Sequence, residues 1–150
     1  MSHTSEVSGI VFMDIEALRS AVNELKTKGI KCSLVANSVP RAFYPNQTGL
    51  GLAPWVLKLD DSPYDVGFYQ DGKAKGYTAR TDLWGGHVSR ILGSTAPAKT
   101  GENPTQVALG RLFQTYAVHA ATRKAVQQGM TVKRIDAPDG GVRLVIGGIA

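Results

Sequence analysis

The chain has 150 residues, of which 43% are hydrophobic and 19% charged. That is ordinary for a soluble globular protein, and the length suits one domain over residues 1–150 that buries a core without staples. No apolar run approaches the roughly 18 residues needed to cross a bilayer, and the single cysteine, Cys32, excludes an internal disulfide and any multi-cysteine metal site.

The net charge of +5 is unevenly spread: residues 1–72 carry −2 and residues 73–150 carry +7. No acid lies between Glu102 and Asp136, whereas Arg111, Arg123, Lys124, Lys133 and Arg134 all do. Such asymmetry can mark a face for nucleic acid or another polyanion. The plainer explanation is a solubilising basic surface. The first six residues have neither a basic nor an apolar run, so no signal peptide is expected and a reducing cytoplasm is the simplest location.

In chain order, residues 7–12 form a short apolar run and a predicted first strand. Asp14 is a natural N-cap, and Ile15, Leu18, Val22 and Leu25 recur at helical spacing up to Gly29, the expected residue past the helix end. Residues 30–36 read as a second strand, with Cys32 and Leu34 on one face. Residues 38–54 carry Pro40, Pro45 and Pro54 and no clean periodicity, so a long loop is expected. Its Phe43, Tyr44, Leu50 and Leu52 make it either a strap pinned to the body or a protein-interaction surface. Residues 55–59 are a predicted third strand.

A β-hairpin follows around the turn dipeptide Asp71-Gly72, with Phe68, Tyr69 and Tyr77 on its arms and Trp84 at its end. Residues 85–92 could form a helical turn, and residues 93–103 a second long, polar loop. Asn103, Pro104 and Gln106 make a capping-box arrangement that opens a long helix carrying Leu109, Leu112, Phe113, Tyr116 and Ala120 on its buried stripe. Gly129 stops it. Two strands, residues 130–135 and 142–146, then pair through Pro138-Asp139-Gly140-Gly141. Single helices between strands that pair by hairpins predict an α+β fold: a largely antiparallel sheet with two main helices packed on one face.

Catalytic chemistry finds little support in these residues. His3, His87 and His119 are far apart and show no zinc-ligand spacing, so neither a metal nor another cofactor is expected. Asp60, Asp61 and Asp71 sit at turn positions, and Cys32 reads as a small core residue. Asp65 and Asp82, one on each arm of the hairpin, with His87 beside a glycine pair, are what an enzyme would have to be built around. That reading ranks third.

The nucleic-acid reading has more parts. Arg80, Arg90, Arg111, Arg123, Lys124, Lys133 and Arg134 could meet phosphates, with Tyr69, Tyr77 or Trp84 stacking on bases. Phe68 and Tyr69 point to opposite sheet faces, so one of them is either exposed or covered by the 38–54 loop. The alternative is a protein-interaction module, an adaptor or self-assembling subunit, using Phe43, Tyr44, Leu50 and Leu52 or an uncovered sheet edge.

The elements Tyr64-Asp65-Val66-Gly67-Phe68, Asp71-Gly72, Tyr77 and Asp82-Leu83-Trp84-Gly85 resemble the hypothetical chloroplast reading frame thirty-five family of cyanobacteria, plastids and bacteriophages. Met1-Ser2-His3 and residues 112–116, 120–124, 129–132 and 142–145 fit as well, while Thr4 departs from the aromatic that commonly follows the Ser-His pair. The family has no established reaction. The resemblance implies the α+β fold and a phage-encoded accessory protein in the host cytoplasm, with an ATPase or host factor as a partner. It leaves a small non-enzymatic nucleic-acid-binding protein as the first expectation.

Overall fold

The computed structural model describes residues 4–6, 11–43, 50–70, 75–94 and 104–149. The elements are β1 (Thr4–Glu6), α1 (Ile15–Thr27), β2 (Cys32–Ser38), β3 (Ala53–Leu59), β4 (Val66–Tyr69) and β5 (Thr78–Asp82). A 3-10 turn (Trp84–Gly86) then runs into α2 (His87–Leu92), followed by α3 (Pro104–Ala108), α4 (Gly110–Gln127), β6 (Met130–Asp136) and β7 (Val142–Ile149). Five strands form one sheet in the order β1-β5-β4-β3-β2, every neighbour antiparallel, while β6 and β7 form a separate two-stranded ribbon. The architecture is the expected α+β.

α1 forms where the sequence places it. Asp14 Oδ1 accepts from the Glu16 and Ala17 amides, satisfying two of the orphan donors of the first turn. Ala17, Leu18, Ala21, Val22 and Leu25 are buried, and Gly29 leaves the helix at φ +95°, a conformation that favours glycine. α4 clamps the start of α1: the Tyr116 hydroxyl accepts from the Met13 and Asp14 amides, and Arg123 Nε donates to Asp14 Oδ2 at 2.8 Å. Phe12 lies fully buried at this junction, its ring centroid 5.1 Å from Phe68, 5.2 Å from Phe113 and 4.6 Å from Tyr116. Within the expected first strand, Phe12 makes an isolated bridge to Tyr77, whereas residues 7–10 lie outside the described residues.

The long helix predicted from residue 103 is two helices. Leu109 departs from helical geometry at φ −114°, ψ 19°, and the Ser94 amide donates to the Val107 carbonyl. A Cβ on Gly110 would lie 2.7 Å from the Ser94 Cβ, so the glycine lets this segment cross the helix at the break. Asn103, the expected cap, lies outside the described residues, as does the turn Asp71-Gly72. On the described arms of the central hairpin Val66 pairs with Thr81 and Tyr69 with Thr78.

Strand alternation gives the sheet two apolar faces. On one, Leu57, Leu59, Val66, Phe68 and Ala79 join α1 and α4 in the main core. On the other, Val56 and Tyr69 pack with Leu50 and Ala53, with Val35 and Ala42 beside them. The segments on either side of residues 44–49 therefore strap the second face, and the Tyr69 hydroxyl donates to the Gly51 carbonyl at 2.9 Å. Gly67 makes room for this arrangement: a Cβ there would meet Tyr69 Cε2 at 2.6 Å and Pro40 Cγ at 3.0 Å. Gly67→Ala is expected to overpack the strap at a cost of about 1–3 kcal/mol, lowering the melting temperature by roughly 5 °C in thermal denaturation. An unchanged melting temperature would show that the strap yields freely.

Candidate functional site

The β6–β7 ribbon has an inner and an outer face. Cross-strand partners share a face, so Arg134 and Leu144 lie on one side with Val132 and Ile146, while Lys133 and Val145 lie on the other with Ile135 and Arg143. The inner side is fixed by Glu24 of α1. Arg134 grips its carboxylate with both terminal nitrogens, Nη2 reaching Oε2 at 3.0 Å. Lys28 Nζ lies 3.0 Å from Oε2 and His119 Nε2 is 2.9 Å from Oε1, so α1, α4 and β6 meet on one group. Arg134 also pairs with Asp136 at 3.1 Å, and Gln114 of α4 donates to the Gly140 carbonyl in the ribbon's turn. The Arg134 fork holds the Glu24 carboxyl far below the usual carboxylate range despite partial burial, with Lys28 and His119 adding to the effect.

The cations expected to meet phosphates fall into two groups. Arg123 and Arg134 are committed to Asp14 and Glu24. Arg111 Nη1 donates to the Ile91 carbonyl at 3.4 Å, Arg90 Nη2 donates to the Gly85 carbonyl at 3.2 Å, and Arg80 stands 4.8 Å over the Tyr69 ring. Lys124 and Lys133 are exposed and join no ion pair among the described residues; the same holds for Arg143, which sequence reasoning left out of the site. Its signal was period-two alternation along β7, which sets it on Lys133's face once the register is known.

The expected stacking residues separate in the same way. Tyr69 is buried under the strap, and Tyr77 is half-buried opposite Phe12. Trp84 is exposed, with Phe43 at 5.8 Å and His87 at 6.4 Å between ring centroids. Of the expected interaction residues, Phe43 and Leu52 are exposed, Leu50 is fully buried in the strap's core, and Tyr44 lies outside the described residues. His3 also lies outside them.

Asp65 and Asp82 occupy neighbouring positions on the hairpin arms, and both are fully buried. Asp65 Oδ2 accepts from the Arg41 amide and Nε, and Oδ1 from Arg41 Nη2 and the Leu59 amide, all within 3.1 Å. Asp82 accepts from the Phe43 amide at 3.0 Å and the Trp84 amide at 2.9 Å. Both carboxylates thus clip residues 41–43 onto the hairpin, which is a structural use of charge. His87 packs edge-on to Tyr64 at 5.7 Å, and burial pushes the Cys32 thiol upward, away from the reactive thiolate. Among the described residues no three potential metal ligands converge, and no helix is long and apolar enough to cross a membrane. Searches of protein-family models, curated proteins and solved structures find no match to this chain.

The depressed Glu24 carboxyl sets a pH dependence. Its folded value lies below its unfolded one, so its stabilisation is complete well above about pH 4.3 and is lost as pH falls from there. In melting curves, the advantage of the native chain over Glu24→Gln is expected to be constant near neutrality and to shrink below about pH 5. A gap that does not change with acidity would remove Glu24 as the anchor.

Proposed function

We propose that this chain is a non-enzymatic binding protein that contacts nucleic-acid phosphates through the outer face of the β6–β7 ribbon and the last turn of α4. The observation that carries the proposal is the division of the basic residues. Arg123 and Arg134 hold the body together, while Lys124, Lys133 and Arg143 stand exposed without carboxylate partners among the described residues. α4 runs through Gln128 and Gly129 directly into β6, so Lys124 belongs to the same end of the molecule as the ribbon.

The likeness of the hairpin motifs to the chloroplast reading frame family extends the proposal to a phage-encoded accessory protein of the host cytoplasm. The structure gives those motif residues positional work: Asp65 and Asp82 clip the strap, and Gly85 turns at φ +72°. A second reading, docking of a protein partner such as an ATPase or host factor, is favoured by the exposed Phe43–Trp84 pair.

Binding to labelled duplex DNA, single-stranded DNA and RNA tests the first reading. Three phosphate contacts should cost about 40-fold in affinity between 50 and 200 mM salt. Neutralising Lys124, Lys133 and Arg143 to alanine should abolish most of that dependence, each change lowering the salt slope by about one. Absence of binding at the lower salt, or full binding by the triple variant, would overturn it. Capture of a protein that is lost on Phe43→Ala and Trp84→Ala would favour the second.

A further inference from the structure

We propose that the free edge of β7 pairs with the same edge of a second copy of this chain, joining two ribbons into one four-stranded antiparallel sheet. Among the described residues β7 is bonded to β6 alone, which leaves one side of an eight-residue strand without a backbone partner. Folded proteins usually blunt such edges with charge, irregular geometry or short length. The other edges here follow that rule. β6 carries Lys133, Arg134 and Asp136 in seven residues, β2 leaves extended geometry at Asn37 (φ +49°), and β1 carries Glu6 among its three described residues. β7 carries one charge, Arg143, its register irregularity against β6 is confined to Gly147 and Gly148, and its Val145 and Ile146 are 46% and 49% exposed.

The strand is complementary to itself. Antiparallel pairing about a two-fold axis normal to the sheet keeps each side chain on its own face. Centred on Val145, it places Val145 opposite its own copy, Leu144 opposite Ile146 and Arg143 opposite Gly147. The exposed apolar side chains then meet, the lone cation faces a residue without a side chain, and the two Arg143 stand about 13 Å apart along the seam. The contact uses the same patch twice and closes at two copies. It also relieves the marginal stability of a two-stranded ribbon. Since faces are preserved, Lys133 and Arg143 of both copies fall on one surface; that consequence alone rests on the nucleic-acid reading.

The test is sedimentation equilibrium of the full chain without nucleic acid, so its failure is separable from failure of that reading. The mass should rise with concentration from 16.0 kDa to twice that value. Val145→Lys and Val145→Glu each set like charges on the axis and should each stay monomeric, while their equal mixture should dimerise. A native chain that stays monomeric at high-micromolar concentration overturns the proposal. So do charged variants that dimerise as the native chain does, or a mixture that stays monomeric. Should the charged variants fail to fold, Val145→Cys decides: directly opposed Cα atoms are close enough for a disulfide, so oxidation should yield a dimer linked through position 145, and its absence overturns the pairing.

Discussion

The Glu24 carboxylate is the group on which the arrangement of this molecule depends. It projects from α1 and is held by Arg134 of β6, His119 of α4 and Lys28, the residue that caps the end of its own helix. A two-stranded ribbon by itself is marginal in water, so β6 and β7 need a body to pack on. A fork-shaped guanidinium gripping a half-sheltered carboxylate supplies direction as well as energy, and is screened less by salt than an open surface pair. Strand alternation then does the rest. With Arg134 committed inward, Lys133 must point outward, and the register brings Arg143 to the same side. The outward basic face is therefore a consequence of how the ribbon is tied down.

A second pair of carboxylates organises the opposite side of the sheet. Asp65 and Asp82 are buried where an unpaired charge would be costly, and each takes backbone or guanidinium donors from residues 41–43. The strap they fix brings Leu50 and Tyr69 together over a face that would otherwise leave apolar residues in water. The hairpin aspartates are therefore poor candidates for acid–base work. Their lone pairs are engaged in holding chain segments that lie far apart in sequence.

Local signals were legible in the amino-acid order. α1 announced itself through Asp14, an apolar stripe at i, i+3 and i+4 spacing, and Gly29; the ribbon through its strands and the Gly140-Gly141 turn. What could not be read was tertiary. The break at Leu109 falls where Ser94 crosses at Gly110, a contact between segments that no local pattern announces. The partners of Arg123 and Arg134 lie 109 and 110 residues earlier in the chain, so no spacing rule could separate them from Lys124 and Lys133. Tyr69 and Leu50 looked available because each is covered by the other's segment, and Arg143 looked incidental until the register placed it beside Lys133.

Amide hydrogen exchange on the native chain and on Glu24→Gln tests the central claim most directly. If Glu24 fastens the ribbon, the amides of β6 and β7 should exchange markedly faster in the variant, while those of α1 and the five-stranded sheet keep their protection. Unchanged protection in the ribbon would mean that apolar packing on α4 alone holds it. Equal loss throughout the chain would mean that Glu24 serves the whole fold and not the ribbon's attachment.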